Sequence, residues 1–387
     1  MRRLTRLAQV FKLSDTATST QRPTYSAVPD SHPEAFDSET RLRLLTGFRA
    51  LAEADDASLD SAAATVYSQD VAWRGSHPMN EVAGCASVVS EVWRPLREAL
   101  PDLERRDEIF VCGEYQGRQL VAAMGHYCGT FDKPWLGIPP TGHPLWVRYG
   151  EVHQIENGKI VQSSCLWDVL DVMHQAGFQP LAASLGHEYR WGGPLTADGI
   201  RLQPSPPEQG ANSIAQTLAM HATLAGHDDR GNLSRQALLD MPQKEHWHPK
   251  MMWYGPSGIG TTRALSGFVD RHQLPFRHAF PGRKAGDALS AMIERGEAPT
   301  GGGHYIRIGD GPYSVTGGWP SVYAPHEGGS IFGIAGTGKL VGMRVMDFYL
   351  HHEGLIRENW VPIDVIDLLL QLGVDVFDRM QLAFDRR

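Results

Sequence analysis

Long apolar runs, basic residues and cysteines are all scarce in this 387-residue sequence, and each scarcity excludes a class of protein. No apolar run approaches the ~18 residues that a membrane-spanning helix needs. Acidic residues outnumber basic ones, and a net charge of −8 provides no broad basic surface for nucleic acid. The four cysteines contain no CxxC pair, which is typical of reduced core thiols in a cytoplasmic protein. We therefore expect a cytoplasmic protein with neither a membrane nor a nucleic-acid partner.

The sequence does contain an internal repeat. Residues 137–177 align without a gap with residues 333–373, at a constant shift of 196 positions. Further towards the N-terminus, the Trp-x-Gly at 73–75 aligns with the Trp-x-Gly at 253–255, at a shift of 180. The change of shift requires about sixteen extra residues in the second copy, and the helical composition near 282–303 marks that region as the insertion. The chain is therefore predicted to hold two copies of one domain, called here the first and second repeat.

Changes in composition predict an arm, two domains and a linker. Residues 14–38 are rich in Ser, Thr, Pro and Asp, and residues 1–38 are predicted to form a flexible N-terminal arm. The predicted domains span 39–195 and 210–387, with a Pro- and Gly-rich linker at 196–209. In each repeat helices precede a run of strands, which is typical of an α+β domain whose helices cover one face of a curved sheet. We expect the two domains to pair as a pseudo-dimer within the chain, with further homodimerisation left open.

The repeated segment carries an acid on a strand in both copies, Glu151 and Asp347. Strand alternation places each acid on a face that it shares with apolar and aromatic neighbours. If helices cover this face, burial raises the pKa of the acid towards the range that is useful for proton transfer near neutral pH. The alternative is a carboxylate that only forms a salt bridge with a nearby arginine. Recurrence of the acid in both copies, among different neighbours, favours the functional interpretation.

The opposite face of each acid strand indicates an interface. In the second copy this face carries Met346, Phe348 and Leu350, which need a cover, and the sheet of the first repeat could provide it. Arg148 and Arg344 also point to this face. We expect them to support the domain interface or the sheet edge rather than to pair with the acids.

Aromatic and histidine side chains near the acid strands are the candidates for substrate binding. They are Trp73, His126, Tyr149 and His153 in the first repeat and Trp253, His304, Trp319, Tyr323, Tyr349 and His351 in the second. Core packing is the alternative for each of them. The pairs His246-x-His248 and His351-His352 lack an acidic or cysteine partner at ligand spacing that recurs in the other repeat. The glycine-rich stretches lack the spacing of a phosphate loop, and we expect neither a metal nor a cofactor.

Four segments of the first repeat together resemble the SnoaL-like polyketide cyclase family, within the superfamily of nuclear transport factor two. They are VWRPLREALPD at 92–102, GTF at 129–131, GIPPTG at 137–142 and NGKIV at 157–161. The resemblance covers most of residues 60–175 and, more weakly, 240–375. It implies a cone-shaped, cystatin-like α+β barrel in each repeat, in which a strongly bent mixed sheet wraps around a pocket closed by helices.

The resemblance also implies an activity. Family cyclases close a ring of a polyketide ester by intramolecular aldol condensation without a cofactor, with one aspartate as general acid and base. Asp347 stands at the position of that aspartate, and Glu151 is its counterpart, although the first repeat departs from the family pattern by having Glu there. We therefore expect a cofactor-independent cyclase, or a related isomerase, that acts on a hydrophobic carbonyl compound with Asp347 and Glu151 as catalytic residues. A non-catalytic small-molecule-binding protein of the same fold, or one live pocket beside a degenerate copy, are the alternatives.

Overall fold

The computed structural model of the protein describes residues 36–188, 191–296 and 303–384. The predicted N-terminal arm lies outside the described residues as far as residue 35, and so does the last part of the predicted insertion at 282–303. The described residues form two mixed β-sheets, each covered by helices, which confirms the predicted α+β class with one sheet in each repeat. No helix in these ranges has both the length and the apolar character needed to span a membrane.

The first repeat opens with two helices that lead into its sheet. Its helices are α1 (Ser38–Glu53), α2 (Leu59–Val66), α3 (Cys85–Val88), α4 (Arg94–Ala99) and α5 (Val169–Gln175). Its strands are β1 (Tyr67–Gly75), β2 (Glu81–Ala83), β3 (Glu104–Tyr115), β4 (Arg118–Thr130), β5 (Pro144–Glu156) and β6 (Lys159–Trp167). Helix α1 begins where the Asp37 carboxylate accepts from the backbone N–H of Thr40 at 2.8 Å, because this cap satisfies a donor that the first turn leaves unpaired.

The second repeat follows the same order, apart from an extra C-terminal helix and one addition within the domain. Its helices are α6 (Pro207–Ala225), α7 (Arg235–Asp240), α8 (Ala264–Phe268), α9 (Leu274–Ala279), α10 (Gly286–Glu294), α11 (Val365–Gln371) and α12 (Val376–Phe384), with a 3₁₀ turn at Pro242–Glu245. Its strands are β7 (Trp247–Tyr254), β8 (Thr262–Arg263), β9 (Lys284–Ala285), β10 (Ile306–Asp310), β11 (Tyr313–Pro325), β12 (Leu340–His352) and β13 (Leu355–Trp360). The addition is α10, which lies within the region where the alignment of the repeats shifts.

Both repeats contain one wider turn of π-helix at the same place. It spans Val89–Trp93 between α3 and α4, and Val269–Gln273 between α8 and α9. A proline follows each π-turn by two residues, at Pro95 and Pro275, and proline has no N–H to donate to the preceding turn. Trp93 and its equivalent Gln273 are therefore presented to the sheet from corresponding positions.

The two sheets have the same strand order. It is β2-β1-β6-β5-β4-β3 in the first repeat and β8-β7-β13-β12-β11-β10 in the second, where β9 also pairs with β11. The β1–β6 and β7–β13 ladders are parallel, and the hairpin ladders β4–β5 and β11–β12 are antiparallel. The acid strands β5 and β12 are central in their sheets, so both of their faces are covered.

The repeats differ at the sheet edge, where the single strand β3 corresponds to the two strands β9 and β10. Strand β3 has a β-bulge between Asp107 and Ile109, and α10 lies between β9 and β10 at the corresponding point. Arg105 on β3 pairs with Tyr127, whereas Ala285 on β9 pairs with Val322. Tyr127 and Val322 in turn pair with aligned positions of β5 and β12. Ala285 therefore occupies the place of Arg105.

The two sheets pack back to back. A buried apolar cluster joins Val111, Met124 and Val152 of the first repeat to Phe348 and Leu350 of the second. This confirms that the first repeat's sheet covers the apolar face of the second acid strand. Because successive side chains of a strand point to opposite faces, the faces that carry Glu151 and Asp347 point away from this interface.

Arg148 lies in the interface, as expected. Its Nη2 is 2.9 Å from Asp168 Oδ2 and donates to Ser257 Oγ of the second repeat at 2.9 Å. The backbone N–H of Ser257 also donates to Asp168 Oδ2 at 2.9 Å. The arginine–aspartate pair of the first repeat thus holds the loop after β7.

Arg344 makes the equivalent contact in the opposite direction. Its Nη1 is 2.9 Å from Asp364 Oδ2, and the backbone N–H of His77 in the first repeat donates to the same oxygen at 2.9 Å. His77 and Ser257 are aligned at the shift of 180. The same contact is therefore formed twice, once in each direction, as in a two-fold dimer.

Candidate active site

Glu151 lies at the centre of a closed polar cluster in the first repeat. Arg105 Nη1 donates to its Oε2 at 2.7 Å, and Tyr127 Oη and Trp167 Nε1 donate to its Oε1 at 2.8 and 2.7 Å. The side chain of Glu151 is 2% exposed. The void beside it measures about 10 Å³, which is at the lower limit for a single water molecule. The described part of this pocket has no room for a small-molecule substrate.

The expected rise in the pKa of Glu151 is wrong. Burial alone would raise the pKa of this carboxyl, but the positive charge of Arg105 and the hydrogen bond and charge of His153 outweigh burial and lower the pKa to about 2. Glu151 is therefore an ionised partner in a buried ion pair. The structure shows the salt bridge that the sequence left open as the alternative.

Asp347 has different surroundings in the second repeat. It lines a cavity of about 660 Å³, within the usual range for small-molecule sites. No ion pair involving Asp347 occurs within the described ranges, and the amide of Asn359 approaches its Oδ1 at 3.4 Å. Burial raises the pKa of Asp347 to about 6, against the smaller lowering effects of Asn359 and Tyr349. The expected rise in pKa is thus confirmed for this acid.

The cavity beside Asp347 exists because smaller, apolar residues stand where the partners of Glu151 stand in the first repeat. Strand pairing places Ala285 where Arg105 stands and Val322 where Tyr127 stands. Trp167 pairs with Tyr149, and Ile363 forms a bridge with the aligned residue Val345, so Ile363 takes the place of Trp167. Ala285, Val322 and Ile363 all line the cavity. The second repeat therefore lacks the cation, the phenol and the indole that surround Glu151.

A histidine from helix α6 completes the polar part of this cavity. His221 Nε2 is 2.8 Å from Tyr349 Oη, and Tyr349 lies two residues after Asp347 on the same face of β12. The ring of His304 lies 5.6 Å from that of His221. Burial, followed by the Asp347 charge, raises the pKa of Tyr349 well above its usual range, so its hydroxyl stays protonated. His221 and Tyr349 thus form a hydrogen-bonded pair beside the acid.

Three of the side chains that were predicted to bind substrate in the second repeat lie outside the cavity. Trp319 packs in the interface between the sheets, where the guanidinium of Arg344 lies 5.0 Å from its ring. Tyr323 follows Val322 on β11 and therefore points to the other face of the strand. His351 is 8% exposed and hydrogen-bonds to Thr217 Oγ1 at 3.1 Å, outside the cavity lining. In contrast, Trp253, His304 and Tyr349 do line the cavity.

The four candidates in the first repeat are core residues. Trp73 and His153 border the small void beside Glu151, and the Trp73 ring packs edge-on against Trp167 at 6.1 Å. Tyr149 Oη donates to Asp107 Oδ1 at 2.7 Å. His126 is buried against Trp146, on the face of β4 that points away from Glu151. None of the four borders a cavity of substrate size in the described structure.

Residues of the cavity wall that sequence reasoning missed include His221, Trp247, His272 and Arg283. The His272 ring stacks on Trp253 at 4.0 Å, and burial, followed by the charges of Arg283 and Arg277, lowers its pKa to about 3. Trp247 could have been found, because it aligns with Tyr67 at the shift of 180. His221 could not, because the repeat alignment does not extend into α6.

One group of potential metal ligands occurs within the described ranges. Asp171, His174 and Glu188 offer ligand atoms within 4.8 Å of one another. Arg148 Nη2 lies 2.9 Å from Asp171 Oδ1, and Ser257 Oγ is hydrogen-bonded to all three side chains. This group is therefore already an ion-pair and hydrogen-bond network, and the arginine charge opposes a cation there.

The fold and the site together define an α+β domain with a helix-covered pocket and an acid on its central strand. Residues 46–176 match the family model of the SnoaL-like polyketide cyclases. The match covers the repeat whose pocket is filled. The second sheet has the same strand order, which makes it a second domain of the same architecture. Comparison with curated proteins gives no match.

Several solved structures are similar to part of the chain. A protein of Jannaschia sp. CCS1, called a SnoaL-like polyketide cyclase, is 20% identical and covers 37% of this chain and 94% of its own, with a TM-score of 0.32. AclR of Streptomyces galilaeus, called a hydroxylase, is 20% identical with coverages of 36% and 98% and a TM-score of 0.30. IdmH of Streptomyces antibioticus, called a polyketide cyclase, is 18% identical with coverages of 35% and 98% and a TM-score of 0.30.

Proposed function

We propose that the protein is a cofactor-independent, polyketide cyclase-like enzyme in which Asp347 of the second repeat is the general acid and base. The observation that carries this proposal is a carboxyl group with a pKa of about 6, without an ion pair among the described residues, in a cavity of about 660 Å³. The first repeat, with its ionised and enclosed Glu151, serves as a structural partner. This is the alternative of one live pocket beside a degenerate copy.

The proposed reaction is an intramolecular aldol closure of a hydrophobic carbonyl compound. The ionised carboxylate of Asp347 takes a proton from the carbon next to a carbonyl group, and the electrons of that C–H bond form an enolate. The enolate carbon attacks a second carbonyl carbon of the same molecule, and a carbon–carbon bond forms. The oxygen of the attacked carbonyl then receives the proton back from Asp347, so the acid is restored.

The cavity walls support both the pKa and the geometry of this reaction. A pKa of about 6 leaves the acid mostly ionised at pH 7 and still strong enough as a base to exchange a proton within the cycle. The protonated hydroxyl of Tyr349 and the amide of Asn359 provide donors beside the acid. The aromatic wall formed by Trp247 and Trp253 can hold a flat substrate in a folded conformation, which brings the two reacting carbons together.

Proton exchange on a model ketone tests the proposal without knowledge of the natural substrate. The methyl protons of 2-acetonaphthone are followed by NMR in D₂O, and we expect the protein to accelerate their exchange. Asp347→Asn should reduce the exchange rate by roughly 100-fold or more, the usual contribution of a general base, and leave affinity for the ketone nearly unchanged. The wild-type rate should rise with pH around a midpoint near 6, because the base must be ionised.

Glu151→Gln is the matched control, since it makes the equivalent change in the other repeat. Its exchange rate per folded molecule should equal that of the wild type, with the folded fraction measured by circular dichroism. A protein that binds the ketone but does not accelerate exchange would be the non-catalytic binding protein. Loss of exchange in Glu151→Gln alone would move the active site to the first repeat.

A further inference from the structure

The cavity of the second repeat has a second polar region, separate from Asp347. It is formed by the segment after α6 and by the residues just before β9. Arg283 Nη1 donates to Asp229 Oδ2 at 2.6 Å, and Arg277 Nη1 donates to Asp229 Oδ1 at 2.5 Å. The side chains of Arg277 and Asp229 are 1% and 6% exposed, and that of Arg283 is 15% exposed. One buried carboxylate is thus shared by two guanidinium groups.

The charges of this region do not balance. Lys284 also lines the cavity and makes no ion pair within the described ranges, so Arg277, Arg283 and Lys284 are balanced by only two carboxylates, Asp229 and the cavity-lining Asp228. The neighbouring Arg230 is paired with Glu327 at 2.8 Å. An excess of positive charge at a cavity wall stands out in a protein whose net charge is −8. Such an excess favours an anionic group of a ligand.

Arg283 has hydrogen-bonding capacity to spare. Its only hydrogen bond within the described structure is the one from Nη1 to Asp229, although a guanidinium has five N–H donors. The aromatic ring of Phe276 lies 5.7 Å from its guanidinium carbon and holds the group in place. Burial, followed by the nearby Arg277, lowers the pKa of Arg283 to about 10, which leaves it charged at neutral pH. A positioned guanidinium with free donors matches the two oxygens of a carboxylate.

The distance from this region to Asp347 suits a ligand with two functional ends. Ala285 pairs with Val322, and Val322 pairs with Met343, which lies four residues before Asp347 on β12. At the usual rise of a strand the backbone at Met343 is roughly 13 Å from that at Asp347, and Arg283 lies two residues beyond Ala285, on the side away from the acid. Gly282 and Lys284 are exposed, whereas Asp347 is half-buried and Tyr349 beside it is 2% exposed, so the cationic region lies nearer the mouth than the acid does.

We infer that the substrate carries a carboxylate, which binds to Arg283 and Lys284 at the mouth, while its apolar, carbonyl-bearing part extends inward to Asp347. The identity of the reacting part rests on the proposed function. The carboxylate site does not, because it can be tested by binding alone. The ion pair would fix the direction in which the substrate enters and so select which carbon meets the acid.

Two probes that differ only in charge test the inference. They are 2-naphthoate and its methyl ester, and their affinities are measured by isothermal titration calorimetry. We expect the wild type to bind the carboxylate at least about tenfold more tightly than the ester, equivalent to about 1.4 kcal/mol. Arg283→Gln should abolish this preference and leave the affinity for the ester unchanged. Arg283→Lys should restore part of it, and Lys284→Gln should reduce it by a smaller factor.

Three results would overturn the inference: equal affinity of the wild type for both probes, a preference that survives Arg283→Gln, or no binding of 2-naphthoate at millimolar concentration. If Arg283→Gln fails to fold, Lys284→Gln and the salt dependence of the wild type test the inference instead. The preference of the wild type for 2-naphthoate over the ester should weaken as salt rises from about 50 to about 500 mM. Asp347→Asn should keep the preference for the carboxylate. If Asp347→Asn loses proton exchange but the wild type shows no preference for the carboxylate over the ester, the proposed function stands and the carboxylate site is excluded.

Discussion

Glu151 and Asp347 occupy the same position in two copies of one fold, yet the net shifts of their pKa values are opposite in direction. Arg105 neutralises Glu151 at 2.7 Å, and this attraction outweighs the loss of water. Asp347 loses water without gaining a cation among the described residues, and its pKa rises to about 6. Ionisation of Glu151 therefore stabilises the folded state, whereas ionisation of Asp347 destabilises it.

Substitution of the two acids should change stability in opposite directions. The pKa of Asp347 is raised from 3.8 to about 6, so the folded state binds a proton more tightly and loses stability as pH rises through this window. Asp347→Asn removes that penalty, and we expect it to raise the free energy of unfolding by on the order of 2–3 kcal/mol at pH 8, but not at pH 3.5. Urea unfolding at both pH values measures the effect.

Glu151→Gln should lower the free energy of unfolding at pH 7 by about 3 kcal/mol, because it removes one of the two carboxylates paired with the buried Arg105 and leaves only Asp107, at 2.8 Å. The contribution of the ionised Glu151 to the free energy of unfolding is present above pH 4.5 and is lost as pH falls towards 2. A stabilising Glu151→Gln, or a destabilising Asp347→Asn at pH 8, would contradict the assignment of the charges.

At this scale, strand alternation was enough to place both acids on the covered faces and to anticipate the raised pKa of Asp347. It could not anticipate the lowered pKa of Glu151, because Arg105 lies 46 residues earlier and reaches the acid from another strand. Aromatic character alone also misplaced Trp319. That ring lies on the same face of β11 as Val315, and this face forms the interface.

At the scale of elements, the edge strand decides which repeat has a cavity. In the first repeat β3 continues along β4 and brings Arg105 to the acid, beside Tyr127 of β4. In the second, α10 separates β9 from β10, and Ala285 stands at the place of Arg105. The small side chain leaves space that the guanidinium would have filled. The repeat alignment located the extra residues, but the break in the strand depends on pairing that only the structure shows.

Restoring the arginine should convert the second site towards the first. Ala285→Arg would place a cation near Asp347, and we expect the pH midpoint of ketone exchange to move below 6, with weaker binding of 2-acetonaphthone because the cavity is smaller. Ala285→Leu is the matched control. It fills similar space without a charge, so it should weaken binding and leave the pH midpoint unchanged. An unchanged midpoint in Ala285→Arg would show that residue 285 does not face the acid.

At the scale of the whole molecule, the repeats are held together by an apolar sheet-to-sheet interface and by two equivalent arginine–aspartate contacts. The internal repeat in the sequence was enough to predict paired domains and the apolar cover of β12. It gave no indication that Asp168 and Asp364 accept hydrogen bonds from the backbone of the other repeat. Those contacts depend on the relative placement of two loops that are far apart in the sequence.

Arg148→Met tests how strongly these contacts couple the repeats. Arg148 is fully buried, and its removal leaves Asp168 and Asp171 without their cation, so we expect a loss of about 3–5 kcal/mol in the free energy of unfolding. Calorimetry should still show one transition, because the interface is shared. Arg94→Met is the control, since Arg94 pairs with the exposed Asp60 at 3.2 Å and should cost less than about 1 kcal/mol. Two separate transitions in the wild type would show that the repeats unfold independently.

The reciprocal contacts of Arg148 and Arg344 also bear on how such a chain could have arisen. A homodimer of identical single-repeat chains would form both contacts at once by symmetry. Gene fusion would preserve them while releasing each half from the need to keep the same interior. One half could then fill its cavity with a charged, close-packed core. A pair of equivalent cavities would thereby become one open cavity and one filled one.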